Sequence, residues 1–311
     1  MNSYTPTIGL EVHAELKTKS KMFCGCKNDP HSGKANENTC PVCLAHPGTL
    51  PRVNKEAVRK ILEVGVALRG EIANFSEFDR KNYFYPDIPK AYQISQYQYP
   101  FVKGGELASV RLTRVHLEED TARSQHEGGE SIVDFNRAGV PLMELVTEPV
   151  IHDSKTAVIF ARELQLLLRT LGVSSANMEK GEMRVEANIS ISSSDKLGTK
   201  VEVKNLNSFK SVEQAIEYEI SRQTEIISNG NIILAETRGW DEDKGKTFSQ
   251  REKETAKDYR YFPDPDIPKF SLKKMEEFSR GNLEAAMPEL PSQLRQKWIV
   301  LGLNADQTET L

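Results

Sequence analysis

Thr7 to Lys17 reads TIGLEVHAELK, and its alternation decides what kind of element it forms. Ile8, Leu10, Val12, Ala14 and Leu16 fall on one side of an extended chain, and Gly9, Glu11, His13 and Glu15 on the other. Successive side chains of a strand point to opposite faces, so an apolar set and a polar set at period two mean a half-buried strand. One face packs and the other is left for chemistry. The design recurs at Met183 to Ser192, where Val185, Ala187, Ile189 and Ile191 oppose Arg184, Glu186, Asn188 and Ser190. It recurs at Lys200 to Lys204, with Val201 and Val203 against Glu202 and Lys204, and again with Val115 and Leu117 against Arg114, His116 and Glu118.

Three helical patterns with recognisable ends lie between these strands. Asn54 caps a helix that turns Val58, Ile61, Leu62 and Leu68 inward and stops at Gly70. Ser154 is placed to cap a second, carrying Val158, Leu164, Leu167, Leu168 and Leu171, with Gly172 just beyond. A third runs from about Ser211 to Ser228 on a stripe of Val212, Ile216 and Ile220. Strands and helices that do not alternate regularly predict an α+β fold, not a doubly wound parallel sheet. A last helical pattern covers Ser292 to Leu301 and reads as the first helix of something larger. The division expected is therefore 1–290 for the main domain and 291–311 for the start of a helical one. YFYPDIPK from Tyr83 and YFPDPDIPK from Tyr261 echo one another, and two copies are too few for a repeat architecture.

The chain has 311 residues and a formal net charge of -4, from 41 Lys plus Arg against 45 Asp plus Glu. That length buries a sizeable core, and that charge excludes a uniformly basic nucleic-acid binder while leaving room for a local basic patch. No apolar run approaches the ~18 residues of a membrane span. The start, Met1 to Gly9, has no basic then apolar pattern of a secretory leader, so a reducing cytoplasm is the expected location. All four cysteines, Cys24, Cys26, Cys40 and Cys43, fall in one short window. A disulfide framework would scatter them; two chelating pairs joined by a polar loop suit tetrahedral thiolate coordination of zinc. Four thiolates close the coordination sphere, so this zinc would brace a loop and activate no water.

If the strands bearing Glu11, His116, Glu186 and Glu202 share one sheet, their side chains converge on a surface too acidic to stand without cations. Magnesium bound to nucleotide phosphates is one occupant of such a surface, and a solvated sheet face is the plainer reading. Glu118, Glu119 and Asp120 are consecutive, so either Glu118 or Glu119 enters the site unless a bulge aims both. The tract Arg80 to Tyr97 interleaves Arg80, Lys81 and Lys90 with Tyr83, Phe84, Tyr85, Tyr92 and Tyr97. Rings can stack on bases while cations meet phosphates, or the tract can simply pack on the core. Neither a Walker-type phosphate loop nor a G-x-G-x-x-G turn is present, and there is no G-x-S-x-G elbow.

Eight segments together resemble one family. They are IGLEVHAEL from Ile8, CPVCLAHPG from Cys40, RKNYFYPDIPKAYQISQY from Arg80, HLEED from His116, FNRAGVPLMELVTEP from Phe135, VKNLNSF from Val203, ETRGWDE from Glu236 and DYRYFPDPDIP from Asp258. The family is the B subunit of the tRNA-dependent amidotransferases. The resemblance implies a fold similar to glutamine synthetase, an antiparallel cradle around Mg-ATP. It implies that ATP phosphorylates the side-chain carboxylate of Glu-tRNA(Gln) or Asp-tRNA(Asn), and that ammonia then displaces phosphate. It also implies partners: misacylated tRNA, a glutaminase A subunit that supplies ammonia, and a C subunit. Carried over residue by residue, His13 and Glu119 become the first magnesium ligands, with Glu11 and Glu118 beside them. Glu186, Glu202 and Lys204, with Tyr83 and Tyr92, complete the nucleotide and metal site, while Lys90 and Tyr92 lie in the tract where ammonia arrives. On this view Glu119→Gln abolishes phosphoryl transfer.

Two features depart from the family pattern. Arg184, Val185, Glu186, Ala187 and Asn188 stand where members commonly read Arg-Cys-Asp-Ala-Asn, so the arm at Glu186 is a methylene longer. Members also continue past Leu311 through a helical and a tail domain, which makes this a catalytic-domain fragment or a shortened protein. Two other expectations compete with the ligase: a non-catalytic, zinc-containing tRNA-binding or assembly module, and a free-standing glutamine-synthetase-like ligase for a small acid.

Overall fold

The computed structural model describes residues 4–252 and 258–310, so the first three residues of the stretch from Met1 to Gly9 lie outside it. The chain begins with β1 (Thr5–Glu15), a long cysteine-bearing loop, α1 (Lys55–Ala67), β2 (Glu71–Ile72), β3 (Asp79–Asn82) and β4 (Tyr92–Ser95). It continues through β5 (Val102–Lys103), β6 (Glu106–Leu107), β7 (Val110–Glu119), the hairpin β8 (Arg123–Glu127) and β9 (Glu130–Asp134), and β10 (Pro141–Thr147). Then follow α2 (Ser154–Thr170), β11 (Met183–Ser192), β12 (Val201–Leu206), α3 (Phe209–Ser228), β13 (Glu236–Asp241), β14 (Lys246–Glu252) and β15 (Phe262–Pro263). Three short helices close it: α4 (Arg280–Ala286), α5 (Pro291–Val300) and α6 (Ala305–Thr310).

One ten-stranded sheet runs in the order β14-β13-β12-β11-β1-β10-β7-β5-β2, with β6 paired to β7. The architecture is α+β as expected, but the sheet is not wholly antiparallel. β12 and β13 run parallel because the whole of α3 intervenes, and a crossover helix returns the chain to the same end of the sheet. Ile8, Leu10, Val12 and Ala14 of β1 are fully or almost fully buried, as are Val185, Ala187 and Ile189 of β11. They pack in one core with Val58, Ile61 and Leu62 of α1, Phe160, Leu164 and Leu168 of α2, and Val212 and Ile216 of α3. Each buried Val, Leu, Ile or Phe here contributes about 1.5–3 kcal/mol, so the helix-covered face anchors the sheet and frees the opposite face. A smaller sheet, β15-β3-β4, comes against that free face: Ser95 Oγ donates to Glu118 Oε2 at 3.0 Å.

Asn54 caps α1, accepting from the Glu56 and Ala57 amides at 2.9 and 3.2 Å, while its Nδ2 donates to Ser20 O at 2.9 Å. The one side chain therefore starts the helix and ties it to the cysteine loop. Asn54→Ala is expected to cost about 1–2 kcal/mol, read as a lower denaturant midpoint with unchanged m-value. For α2 the cap is Asp153, one residue before the one expected, and its Oδ1 takes the Thr156 amide at 2.8 Å. Ser154 Oγ instead donates to Glu217 Oε1 at 2.9 Å, joining α2 to α3. α3 starts at Phe209 behind Ser208, slightly earlier than its apolar stripe indicates. β10 escapes the alternation test because all its residues except Val146 are buried, and a strand covered on both faces reads as an apolar run. Arg295 of α5 forms a two-pronged pair with Glu163 of α2, at 2.6 and 2.9 Å, so the last helices rest on the main body. Among the described residues no helix is long and apolar enough to cross a membrane.

Candidate metal-nucleotide site

The five central strands put the polar side chains into register across one face. His13 of β1 stands opposite Glu144 of β10, which stands opposite His116 of β7. On the other flank Glu11 stands opposite Glu186, and Asn188 opposite Glu202. Two clusters result. In the first, one oxygen each of Glu11, Glu186 and Glu202 lie within 4.8 Å of one another. Lys204 Nζ is 2.8 Å from Glu186 Oε2 and 3.7 Å from Glu202 Oε1. Asn188 Nδ2 donates to Glu11 Oε1 at 2.9 Å, and Thr237 Oγ1 to Glu202 Oε2 at 3.0 Å. Burial, then the charges of Glu144, Glu186 and Glu202, push the Glu11 carboxyl above its ordinary range. A surplus of buried negative charge with oxygen donors only is the chemistry of a hard divalent cation.

The second cluster joins His13, Glu118 and Glu144, again within 4.8 Å. His13 Nε2 is 3.3 Å from Glu144 Oε2 and 3.7 Å from Glu118 Oε1, and His116 Nε2 is 3.5 Å from Glu144 Oε2. Burial, reinforced by Glu144, pushes Glu118 up to about 7. Burial opposes charge on His13, but the hydrogen bond and charge of Glu144 prevail and raise it to about 9. His116, with burial dominant, falls to about 4 and stays neutral. The residues fit a cation here too: an imidazole nitrogen and two carboxylates converge in a site where, without an ion, a proton must be shared among them.

Both clusters open on one cavity of about 230 Å³. The sheet supplies Glu11, His116, Glu144, Glu202 and Lys204, and the opposite wall supplies Lys81, Tyr97, Tyr259 and Tyr261. Tyr97 and Tyr261 stack with centroids 4.3 Å apart, and Lys81 Nζ lies 4.8 Å over the Tyr259 ring. The cavity thus pairs an acidic floor with a cationic, aromatic roof.

Glu119 does not join His13. Strand alternation sends it to the other side of β7, where Lys90 Nζ is 2.8 Å away and the Ile94 amide donates at 3.0 Å. Glu118 is the neighbour that joins His13 and Glu144. Lys90, Tyr92 and Glu119 line a second cavity of about 210 Å³ whose far wall is the cysteine loop, including Cys24, Val42 and Cys43. Arg80 is committed elsewhere: it binds Asp264 and Asp266 at 2.8 and 2.9 Å and lies over the Tyr92 ring at 4.3 Å. The second of the echoing segments is thus drawn to β3, just before the first, through the β15–β3 pairing, and neither Arg80 nor the covered face of Tyr92 is open to a nucleotide. Tyr83 donates to Gln93 Oε1 at 3.3 Å and supports Lys81 from 5.7 Å, outside the cavity lining.

The sulfurs of Cys24, Cys26, Cys40 and Cys43 also fall within 4.8 Å of one another. The Cys40 amide donates to Cys43 Sγ at 3.1 Å. A hydrogen bond from Cys24, against burial and with help from Lys21, lowers the Cys43 thiol to about 5. Four converging sulfurs fit a tetrahedral soft-to-borderline ion.

Residues absent from the sequence expectation are Glu144, Thr237, Tyr259 and Tyr261. Glu144 and both tyrosines sit inside the segments FNRAGVPLMELVTEP and DYRYFPDPDIP; what hid them was the doubly buried β10 and the distance along the chain to the roof.

Against known families, residues 6–277 match the model described as the GatB/GatE catalytic domain. The B subunit of an aspartyl/glutamyl-tRNA(Asn/Gln) amidotransferase from Thermus thermophilus is 47% identical over 99% of this chain and 66% of its own length. The protein of that name from Brevibacillus brevis is 46% identical, over 98% of this chain and 66% of its own. The one from Thermomicrobium roseum is 51% identical over 93% and 62%. The chain thus spans slightly less than two thirds of the length of these relatives.

Proposed function

Since the chain belongs to the GatB/GatE catalytic-domain family, we propose that it carries the phosphoryl-transfer and amidation site of a tRNA-dependent amidotransferase. The observation that carries this reading is the pair of cation-shaped clusters, Glu11/Glu186/Glu202 and His13/Glu118/Glu144, on the floor of one cavity. The substrate is the side-chain carboxylate of Glu-tRNA(Gln) or Asp-tRNA(Asn), which has no leaving group until an oxygen takes the γ-phosphoryl of ATP. ADP leaves, and ammonia then displaces phosphate from the acyl phosphate.

Magnesium ions held by the two clusters would neutralise phosphate charge and favour in-line transfer. The remaining work falls to this chain's side chains. Lys204 and Lys81 bring positive charge to the phosphates from floor and roof, and the roof tyrosines Tyr97, Tyr259 and Tyr261 shut out water that would hydrolyse the acyl phosphate. The Lys90–Glu119 pair faces the second cavity, on the side from which ammonia would come, and Glu119 can take the proton released as the C–N bond forms. Ammonia comes from a glutaminase A subunit, with a C subunit in the same complex. A structural zinc on the four cysteines braces the wall of the second cavity.

The test is to combine the chain with A and C subunits, glutamine, Mg-ATP and either misacylated tRNA, and to follow ADP and amide. Release of ADP that depends on the misacylated tRNA, with Gln-tRNA or Asn-tRNA formed, is expected. A folded chain that binds its partners yet turns over no ATP would favour the non-catalytic assembly role instead.

A further inference from the structure

Lys21 is among the largest side chains with no exposure at all, and unlike the phenylalanines that share this burial it is charged. Burying an ammonium costs several kcal/mol unless a counter-charge stands beside it. Its Nζ donates to the neutral carbonyl of Phe135 at 3.1 Å and faces Cys43 Sγ at 3.9 Å. Of these two neighbours, only the sulfur can carry negative charge. The Lys21 backbone belongs to the same loop, its amide donating to Cys26 O at 2.9 Å.

We infer that Lys21 is the built-in counter-cation of a metal centre on Cys24, Cys26, Cys40 and Cys43, and that it ties this centre to the segment bordering Glu119. The inference rests on the metal reading above. Four thiolates around a divalent ion carry two excess negative charges, which the interior must compensate. One ammonium against Cys43 removes half of that excess and draws electron density from the sulfur, holding the ligand in its metal-binding form.

The second half of the inference follows from Gly139. A side chain added there would stand 3.6 Å from both Cys43 Cβ and Lys21 Cδ and 3.9 Å from Glu119 Oε2. Gly139 also accepts the Met22 amide at 2.7 Å and donates to Asp120 O at 2.9 Å. The cysteine loop, the Phe135–Gly139 segment and the end of β7 are thus one packed unit. Lys21 is a positioning residue in it, acting on Glu119 through the loop it pins.

Lys21→Met keeps length and removes charge. Metal content is measured first on the wild-type chain, then the rate at which each protein yields its metal to a chromogenic chelator. The expected result is a metal-loaded wild type and release about 10–100-fold faster from Lys21→Met. A metal-free wild type would overturn the metal reading itself; equal release rates from two loaded proteins would overturn the role of Lys21 alone. Should Lys21→Met not fold, amine labelling of the wild type decides. Lys21 unreactive in the loaded protein and reactive after chelation supports the inference, and equal labelling with and without metal refutes it.

Discussion

Glu118→Gln is expected to lower ADP formation by about a hundredfold or more while making the metal-free protein more stable at pH 8. The two effects have one cause. Glu118 is buried beside Glu144 with His13 Nε2 3.7 Å away, and burial together with Glu144 raises its carboxyl from 4.5 to about 7. A carboxyl that binds its proton more tightly when folded destabilises the fold once the medium withdraws that proton. The penalty is absent below pH 4.5, grows between 4.5 and 7, and is complete above 7, where the shift corresponds to about 3 kcal/mol at most. Glutamine keeps the shape and an acceptor for Ser95 and never ionises. Denaturation curves of the two proteins in chelator should therefore coincide near pH 4.5 and separate by pH 8, the variant being the more stable. Loss of activity together with loss of stability at pH 8 would mean that Glu118 serves the fold. Gain of stability with loss of activity is the mark of a side chain kept for its cation.

What the sequence makes legible is the floor of the site, because period two is a local property. Glu11, His13, Glu186 and Glu202 are placed on the right face by their own strands, and one sheet brings those strands together. Two things escape local reading. Glu144 lies on β10, whose flanking positions are apolar on both sides because the strand is central and covered twice, so no alternation marks it. The roof is the second: Lys81, Tyr97 and Tyr261 converge only because β15 pairs with β3, a contact more than 180 residues apart along the chain that depends on the Arg80–Asp264 pair. The choice between Glu118 and Glu119 turns on where β7 ends and how β4 crosses it, since Ser95 fixes one carboxylate and the Ile94 amide the other. The cysteine cluster lies at the opposite extreme. Its four cysteines sit in one short loop, so spacing alone brings them together, and the fold adds Lys21 and the wall they share with Glu119.

Cys40→Ser combined with Cys43→Ser is expected to lower bound zinc from about one equivalent to none and to open the loop between residues 24 and 43. The loop has little else to hold it. Cys43 is its one buried cysteine, and residues 31–40 are half-buried or exposed. Over that stretch its ties to the rest of the chain are polar, among them the Asn36 amide to Asp134 Oδ1 at 2.9 Å, the Asn38 amide to Asn136 Oδ1 at 2.8 Å, and Asn136 Nδ2 to Lys34 O at 2.8 Å. Hydrogen bonds of this kind contribute about 1 kcal/mol each, far less than the ~10–16 kcal/mol by which a tetrahedral zinc favours a folded loop. The same contacts join the loop to the base of the hairpin β8–β9, so losing the metal should loosen both. The ten-stranded sheet buries its own core with α1, α2 and α3 and should survive. Limited proteolysis is the discriminating measurement. New cuts confined to the loop and hairpin, with circular dichroism otherwise unchanged, are the expected result. Cuts throughout the chain would make the metal a global staple, and resistance equal to wild type would mean that packing alone holds the loop. The confined outcome has a functional corollary, because the loop is the far wall of the cavity holding Lys90 and Glu119. On the proposed function amide formation should then fall further than ADP release, because the floor clusters proposed to bind nucleotide stay intact while the side proposed to face ammonia is lost.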